Sequence, residues 1–586
     1  MSRRETSARS LRVSSAATTS ASCSARTNRI EASPALPSGV AASRIRPLEP
    51  LLLCDPPTRS SCRTYDADVV VVTSAPDRAL GSLPDRLAPA MPSHGWRGWA
   101  GPLGAGALAA LTRLPNLGRP DAVVFDETYY AKDAWSLLRF GVEIDEVENH
   151  KELMMQAGDN WRTVEAFSGE AAFIVHPPVG KWTIAVGEYF FGVTPFGWRI
   201  AIAILAIIAV VITARIVRRL TRSDVLGTIA GGLLALEGIH IVLARTALLD
   251  LVLGFWVLVG FGLLLLDRDR TRGKVAALVK GDGVDRIAMG LGPHLGWRPL
   301  RIAAIAAFAL AIGTKWSGAY FLAAFMVLSM FWDVSLRKAI GVDHPWSAAF
   351  ARDLPLAAGS TIVVGIGVYL LTWTGWFATS TGWSRNWAAD QGPSIVPDPI
   401  RSLWHYHSEM WNFHTNLDAE HSYQSNAWSW PLMARPTSFY YESPEGCGAD
   451  SCSSTVLAVG NPIIWWAALL AVPYQLWRWI AARDWRSGAV IVGIAAGWLP
   501  WLLYSDRAIF TFYTVVYVPF LVMAVTLTLG SLAKGLRNKP SWIPAAIIGG
   551  YLFAVVVAAW WFYPVWTAEL IPYDSWRARM WLPTWI

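Results

Sequence analysis

Charged residues are scarce in this chain. They make up 16% of its 586 residues, whereas an ordinary soluble domain carries about 25%. Cysteine is rarer still, with five in the whole chain, which excludes a small fold held by disulfides. Hydrophobic residues reach 53% and the mean hydropathy is +0.34, so a disordered or fibrous protein is excluded too. This composition predicts a protein that crosses a membrane several times.

Residues 1–95 contain no lysine and no sustained apolar period, and they are rich in Ser, Ala, Thr, Pro and Arg. A bilayer span requires about 20 apolar residues, and the run Val69–Val72 is far shorter. We interpret the segment as a disordered tail, or as a start codon assigned too far upstream with Met91 as the candidate start. No function is expected there.

Apolar segments recur from Trp99 onwards and predict eleven transmembrane helices. They divide the chain into a first membrane module over 96–376, a long loop over 377–456 and a C-terminal module over 457–586. The spans are expected at 99–114, 198–217, 225–243, 247–266, 300–313, 316–332, 356–376, 457–480, 488–504, 508–531 and 542–563.

Basic residues follow every second span, as they do in cytoplasmic segments under the positive-inside rule. The segment after the first span is acidic instead, with thirteen Asp and Glu against six Lys and Arg between residues 118 and 197. The N-terminus is therefore predicted to be cytoplasmic, with two long outer loops at about 115–197 and 377–456 and an external tail. Topology explains the net charge of +7, so no nucleic-acid partner is expected.

Three short turns on the predicted outer face each carry a cation: Arg245, Lys315 and Arg507. Ionisable groups at membrane depth are costly and usually functional. For any one of them, snorkelling to lipid headgroups is an equal alternative. Three such cations on the predicted outer face, where the positive-inside rule expects few, indicate a site for a lipid-linked phosphate.

The first outer loop opens with adjacent carboxylates, Asp126 and Glu127, followed by a helical pattern. A helix N-terminus stabilises an ionised carboxylate, and such a group at a membrane surface can act as a general base. A simple helix cap is the alternative that composition favours. Further on, His176-Pro177-Pro178 leads to Lys181 and an amphipathic stretch. The side chains of His176 and Lys181 are expected near the interface as hydrogen-bond donors. A rigid helix start is the simpler interpretation of the motif.

The second outer loop is rich in aromatic residues and histidines. The stretch His421–Pro431 contains Tyr423, Trp428 and Trp430, which suit a groove for a sugar or a peptide. The loop's histidines match no compact zinc spacing, so no metal is assigned. Cys447 and Cys452 lie on the oxidising side and are candidates for a local disulfide.

Together these motifs resemble the protein O-mannosyltransferases, in the form found in actinobacteria. The resemblance covers about residues 96–586, and the motifs follow one another in the family's order. It implies an all-α polytopic C-type glycosyltransferase fold with about eleven transmembrane helices and two long extracytoplasmic loops. The motifs are Phe125–Tyr130, His176–Lys181, Arg245 with Leu248–Asp250, Gly313–Gly318, and His421–Pro431 with Arg435-Pro436.

The resemblance implies transfer of mannose from polyprenyl-phospho-mannose to Ser or Thr hydroxyls of secreted proteins at the outer face of the plasma membrane. Asp126 resembles the family's catalytic acidic residue, Glu127 its partner and Arg245 an essential arginine. We expect an inverting single displacement with Asp126 as the base. Membrane lipids and the secretion translocon are further candidate partners.

Fixed cations stabilise a departing phosphate best in a water-poor site. Arg245 is the first candidate for this role, followed by Lys315, Arg507, His176 and Lys181. Because these groups can neutralise the phosphate, the scheme requires no metal or other cofactor, although a divalent cation is compatible with it.

Other functions fit the sequence less well. A transferase of the same fold acting on a glycan or lipid acceptor is the nearest alternative, and the aromatic loop and the His-Pro-Pro motif argue against it. An oligosaccharyltransferase should carry a Trp-Trp-Asp motif, which is absent. A secondary transporter should show inverted repeats and charges at the bilayer midplane, whereas here the charges gather at one surface.

Overall fold

The computed structural model describes residues 82–92, 94–417, 420–504 and 507–586. Most of the predicted tail, together with Asp506, lies outside the described residues. Helix α1 (Leu83–Leu87) places Leu87 in an apolar cluster with Val275 and Val279. The leucines of this short helix have apolar partners, while the interpretation of residues 1–95 as a disordered tail or a mis-assigned start stays a prediction.

The first long loop is folded and follows helix α2 (Arg97–Arg113). Its two strands pair antiparallel, and its first helix ends at Gly141, whose φ of +77° lies in the left-handed region that favours glycine. Its elements are α3 (Glu127–Phe140), β1 (Ile144–Glu146), α4 (His150–Ala157), β2 (Phe167–Ala171) and α5 (Val179–Phe191).

Local signals explain where the next helices begin. Thr194 accepts a hydrogen bond from the Gly197 N–H and is followed by Pro195, which starts α6. Between α7 and α8 the chain bends by 62°, and the Glu237 carboxylate accepts from the first N–H groups after the bend. The helices are α6 (Pro195–Thr221), α7 (Asp224–Ala235), α8 (Gly238–Ala244), α9 (Leu249–Asp282), α10 (Val284–Ala288), α11 (Pro299–Ile312) and α12 (Gly318–Ala339).

The following segment leads through one more apolar helix into the second long loop. Its elements are α13 (Pro345–Ala348), a π-helical turn (Ala349–Asp353), α14 (Leu354–Thr372), α15 (Thr374–Ala378), a 3-10 turn (Trp387–Gln391), α16 (Asp398–Asn416), a 3-10 turn (Ala427–Leu432), β3 (Thr437–Glu442) and β4 (Cys452–Ala458).

Four helices and a short tail complete the chain. These elements are α17 (Pro462–Ile480), α18 (Trp485–Trp498), 3-10 turns at Leu499–Leu503 and Thr511–Val516, α19 (Val518–Gly535), α20 (Trp542–Trp566), β5 (Ile571–Pro572), α21 (Tyr573–Ala578) and a last 3-10 turn at Pro583–Trp585.

The two long loops and the C-terminal tail lie on one face of the bundle. Strand β5 of the tail joins β3 and β4 in an antiparallel sheet, and Arg435 Nη1 donates to the Thr584 carbonyl at 2.8 Å. The Tyr406 hydroxyl of the second loop accepts from the Ile174 N–H of the first at 3.1 Å. The prediction that these three segments share a face is confirmed.

Each predicted span coincides with a helix or a pair of helical segments. Within the described residues, seven helices are long and apolar enough to cross a membrane, or eight if the bent pair α7 and α8 is one span. Helices α2 and α11 are shorter, at 17 and 14 residues, and α17 also falls outside this count. The all-α polytopic architecture is confirmed, whereas the number eleven stays a prediction.

Candidate active site

Asp126 lies at the turn from the first loop into α3. It occupies the N-cap position, yet its side chain makes no capping hydrogen bond, so the simple cap is not what the structure shows. Burial raises the pKa of this half-buried carboxyl to about 6, against the opposing effect of Lys315 and with a further rise from Asp250. A carboxylate with this pKa is ionised at neutral pH and is a stronger base than an exposed one.

The residue before it holds a strained backbone conformation. Phe125 has a φ of +48°, which is uncommon for a bulky residue and is tolerated where surrounding contacts enforce it. Its ring stacks on Phe439 of the second loop at 4.7 Å and meets Phe512 edge-on at 5.6 Å. Three separate segments thus fix the turn that presents Asp126.

Glu127, the predicted catalytic partner, is fully buried and bound on all sides. Its carboxylate accepts from Arg199 Nε and Nη2, each at 2.8 Å. It also accepts from the backbone N–H groups of Val124 and Ala247, at 3.0 and 2.9 Å. This geometry gives Glu127 a positioning role, because all its interactions go to the protein itself.

Lys315 is the cation whose charge lowers the pKa of Asp126. It lies in the break between α11 and α12. Its Nζ donates at 2.8 Å to Oδ2 of Asp250, in the first turn of α9. The Tyr513 ring lies 5.2 Å from the ammonium group. A lysine has three N–H donors, so among the described residues this salt bridge leaves Lys315 donors for a ligand.

His176, His414 and Arg507 form a second group beside Asp126. The His176 ring stacks on His414 at 5.3 Å and lies 6.1 Å from the Tyr130 ring. His414 Nε2 donates to the Val175 carbonyl at 2.9 Å, and Arg507 Nη1 donates to the His414 carbonyl at 3.1 Å. Burial and then Lys315 lower the pKa of His176 well below its ordinary value, so its imidazole is neutral at pH 7.

Lys181, another predicted phosphate ligand, is completely buried in an ion-pair network within the first loop. Its Nζ binds the Glu143 carboxylate and lies 3.9 Å from Asp133. The same network joins Lys132 to Glu146 at 2.6 Å. Lys181 therefore anchors α5 to the loop, and the role assigned to it in phosphate binding stays a prediction.

Arg245, the first candidate for the phosphate, is also buried. Its Nη1 donates to the carbonyls of Arg113 and Pro115 at 2.7 and 2.8 Å, and its Nη2 donates to that of Asn116 at 2.7 Å. These carbonyls follow the end of α2, where a helix leaves acceptors unpaired. The geometry supports a role in holding the start of the first loop, and a direct contact with phosphate stays a prediction.

The predicted acceptor residues separate into different environments. His421 lies 5.9 Å from the Phe125 ring and 5.0 Å from Phe510, so it faces the site. Tyr423 lies beside it under the Arg435 guanidinium. Trp428 is exposed, whereas Trp430 is fully buried and donates to Ser425 Oγ at 2.9 Å. Trp430 is therefore a core residue of the second loop.

Cys447 and Cys452 form a disulfide, as predicted. It joins the turn before β4 to the strand that binds the tail. Within the described ranges, no group of three His, Cys, Asp or Glu side chains is close enough to hold a metal ion.

Reasoning from the sequence missed two residues of the site. Arg199 lies inside an apolar span, 72 positions from the glutamate that it binds, and a charge buried in a span is itself a signal for a partner. Asp250 belongs to a quoted motif, but its pairing with Lys315 could be identified only once α9 and α11 were placed side by side.

The fold and the site together define a class of protein. A basic carboxylate, cations and neutral imidazoles gathered under two packed loops at one end of a helical bundle agree with the C-type glycosyltransferase class that the sequence predicts.

Comparisons with known proteins narrow the class. Residues 105–279 match the family described as dolichyl-phosphate-mannose-protein mannosyltransferase, and residues 399–585 match the C-terminal four-transmembrane region of protein O-mannosyltransferase. The chain is 38% identical to a polyprenol-phosphate-mannose–protein mannosyltransferase of Mycobacterium tuberculosis, over 82% of this chain and 90% of that protein. It is 29% identical to one of Corynebacterium glutamicum, over 87% of this chain and 98% of that protein.

A solved structure agrees on the fold. The Saccharomyces cerevisiae Pmt1–Pmt2 complex bound to its sugar donor matches with a TM-score of 0.62 at 13% identity, over 86% of this chain and 94% of that chain. The chain belongs to the protein O-mannosyltransferase family.

The Glu127–Arg199 pair gives a first testable prediction. Replacing Glu127 by Gln leaves Arg199 charged and incompletely paired in the interior, which should destabilise the protein by about 3 to 5 kcal/mol. Thermal unfolding of the purified variant in detergent measures the change. Glu170→Gln, at an exposed position of the same loop, is the matched control and should unfold as the wild type does. A Glu127→Gln protein with unchanged stability would contradict the positioning role.

Proposed function

We propose that this protein transfers mannose from polyprenyl-phospho-mannose to Ser or Thr hydroxyls of secreted proteins at the outer face of the plasma membrane. The observation that carries the proposal is the Asp126 carboxyl. It is uncapped, half-buried and shifted to a pKa of about 6 beside Lys315 and Asp250. The names of the mycobacterial and corynebacterial relatives support the donor and the protein acceptor.

The reaction is a single displacement. The acceptor hydroxyl attacks the anomeric carbon of mannose while Asp126 takes its proton. The bond from that carbon to the phosphate oxygen breaks, and both its electrons leave with polyprenyl phosphate. With one base and no enzyme nucleophile, the configuration at the anomeric carbon is inverted.

The departing phosphate requires positive charge where it gains electrons. Lys315 is the best-placed cation, because its charge acts on Asp126 and it makes one salt bridge, to Asp250, among the described residues. Arg507 and the neutral His176 add donors on the side of the second loop. We assign Arg245 and Lys181 to holding the loop around this site. Because these donors can neutralise the phosphate, the scheme requires no metal ion.

An apolar cavity offers a place for the polyprenyl chain. It has a volume of about 910 Å³ and includes Val179, Leu310 and Thr372 in its lining. Val179 starts the helix that follows His176, and both Val179 and Thr372 lie against Gly313, two residues before Lys315. The cavity thus reaches the end of the bundle where the phosphate would bind. We propose that the chain of the donor occupies it.

The acceptor would approach from the second loop. His421 lies next to Phe125, Tyr423 lies beside His421, and Trp428 is exposed on the same stretch. A flexible peptide could lie along these side chains with its hydroxyl above Asp126. An extended acceptor also fits a protein that is still leaving the secretion translocon, which we propose as a partner.

Asp126→Asn should lower turnover by about two to four orders of magnitude, the usual range for a lost general base, without loss of stability. The assay supplies labelled polyprenyl-phospho-mannose and a peptide rich in Ser, Thr and Pro to purified protein in vesicles. Asp145→Asn, at an exposed position of the same loop, is the control and should keep wild-type turnover. Equal turnover in wild type and Asp126→Asn would remove the base from Asp126. Transfer to a glycan or lipid but not to the peptide would favour the alternative acceptor class.

The raised pKa of Asp126 predicts a pH profile. A base with a pKa of about 6 is about one-tenth ionised at pH 5 and about nine-tenths at pH 7. The value of kcat/KM for the wild type should therefore rise with pH through about 6 and level off above pH 7. The residual activity of Asp126→Asn should lack this rise. A wild-type profile that is flat between pH 5 and 7 would contradict the assignment.

Narrowing the cavity should weaken donor binding selectively. Ala201 of α6 lines it, and Ala201→Trp would place an indole where the polyprenyl chain lies. We expect the KM for a long-chain donor to rise about tenfold, with little change for a short-chain analogue. Ala546→Trp, on an exposed stretch of α20, makes the same substitution outside the cavity and should leave both KM values unaltered. An equal effect on the two donors would show that the chain lies elsewhere.

A further inference from the structure

The end of the bundle opposite Asp126 carries a group of four arginines, Arg219, Arg222, Arg268 and Arg272, which we call the arginine cluster. Helix α9 connects the two ends, since Asp250 lies in its first turn. From Asp250 to Arg268 the helix rises about 27 Å at about 1.5 Å per residue, close to the thickness of a bilayer's hydrocarbon core. The arginine cluster therefore lies at the second membrane interface.

Two of the four side chains, those of Arg219 and Arg268, share the carboxylate of Asp269. Arg219 Nη1 donates to Asp269 Oδ2 at 2.7 Å, and Arg268 Nη1 donates to Asp269 Oδ1 at 3.0 Å. Arg222 and Arg272 are the other cations that act on Arg268. Both oxygens of Asp269 are thus taken, and the cluster keeps a surplus of positive charge.

Two neighbouring arginines at the same end, Arg298 and Arg337, are paired with carboxylates more completely than the arginine cluster is. Arg298 donates to the carboxylates of Asp267 and Asp333 through all three of its nitrogens. Arg337 binds Asp353 through two nitrogens and makes two more bonds to backbone carbonyls. The positive-inside rule predicts basic residues at this end of the bundle. It does not explain why Arg298 and Arg337 are more fully paired than the arginine cluster.

The donors of the cluster are mostly unused within the described residues. Each guanidinium has five N–H donors, yet the side chain of Arg272 makes one bond, to Ser335 Oγ at 3.3 Å. The Nε atoms of Arg222, Arg268 and Arg272 are buried and have no hydrogen-bond partner in the described part of the chain. Arg268 is held in place by the Trp485 ring, 3.4 Å from its guanidinium carbon.

Guanidinium groups with a surplus of charge, buried for Arg268 and half-buried for the other three, suit a phosphate, which accepts several charge-assisted bonds at once. At a membrane interface the abundant source of phosphate is the lipid headgroup. We propose that the arginine cluster binds the phosphate of an anionic phospholipid in the leaflet opposite the catalytic site. Free inorganic phosphate offers the same chemistry from the aqueous side.

Lipid titration of the purified full-length protein by native mass spectrometry tests this inference. Phosphatidylglycerol should bind more tightly than phosphatidylcholine. The double variant Arg222→Gln/Arg272→Gln should weaken phosphatidylglycerol binding about tenfold or more, since charge-assisted hydrogen bonds to phosphate are among the strong ones. Arg222→Lys keeps the charge but loses the planar fork, so it should weaken binding to an intermediate degree.

The matched control removes the same charge from the exposed side of the same segment. Arg270 and Lys274 are exposed, and Arg270→Gln/Lys274→Gln should keep wild-type affinity. Equal losses in both double variants, or no preference for phosphatidylglycerol in the wild type, would overturn the proposal. Displacement of the lipid by millimolar inorganic phosphate would keep the phosphate site and assign it to the aqueous source. If the double variant does not fold, Arg222→Lys and the lipid preference of the wild type still decide the question.

Discussion

The candidate site depends on one buried ion pair, between Glu127 and Arg199. The pair ties the start of α3 to α6, and the same carboxylate accepts the Ala247 N–H before α9. Arg199 also donates to the carbonyls of Pro120 and Ala122, which lead into the turn. Two membrane helices and the first loop therefore meet at the residue next to Asp126. Because a half-broken pair would leave a charge buried, the turn has little freedom to move away from the bundle.

In the turn that this ion pair holds, opposing electrostatic effects set the pKa of Asp126. Burial and the nearby Asp250 raise its pKa, while Lys315 lowers it. Without the cation the pKa of the carboxyl would be higher, and a smaller fraction of it would be ionised at neutral pH. Without burial it would be ionised but weakly basic. In the proposed reaction the charge of Lys315 has two effects. It helps to keep the Asp126 carboxylate ionised, and it stabilises the phosphate that leaves.

The sequence predicted the helices, the shared face of the loops and the tail, and the disulfide, because each follows from apolar length, charge bias or redox side. It also singled out the adjacent carboxylates Asp126 and Glu127 from their place at a helix start, whereas the choice of Asp126 as the base came from the family resemblance. The sequence could not show in which direction a long basic side chain, of lysine or arginine, points. Arg245, Lys315 and Lys181 all stand at the same boundary by composition, yet Arg245 turns to the end of α2 and Lys181 to Glu143. Trp430 shows the same limit, since an aromatic residue in a loop motif can line a groove or fill a core. Such choices depend on partners that are remote in the chain.

The completeness of pairing separates the scaffold from the groups that can take a ligand. Glu127 directs its bonds to several protein partners, as a buried charge must if it is to be stable by itself. Lys315 makes one side-chain salt bridge and Arg507 one bond to a carbonyl among the described residues. The arginine cluster at the far end has the same incomplete pairing around Asp269. Since desolvated charges cost free energy unless they are compensated, incomplete pairing at both ends of the bundle indicates anionic ligands at both membrane interfaces, one of them consumed in the reaction and the other bound as lipid.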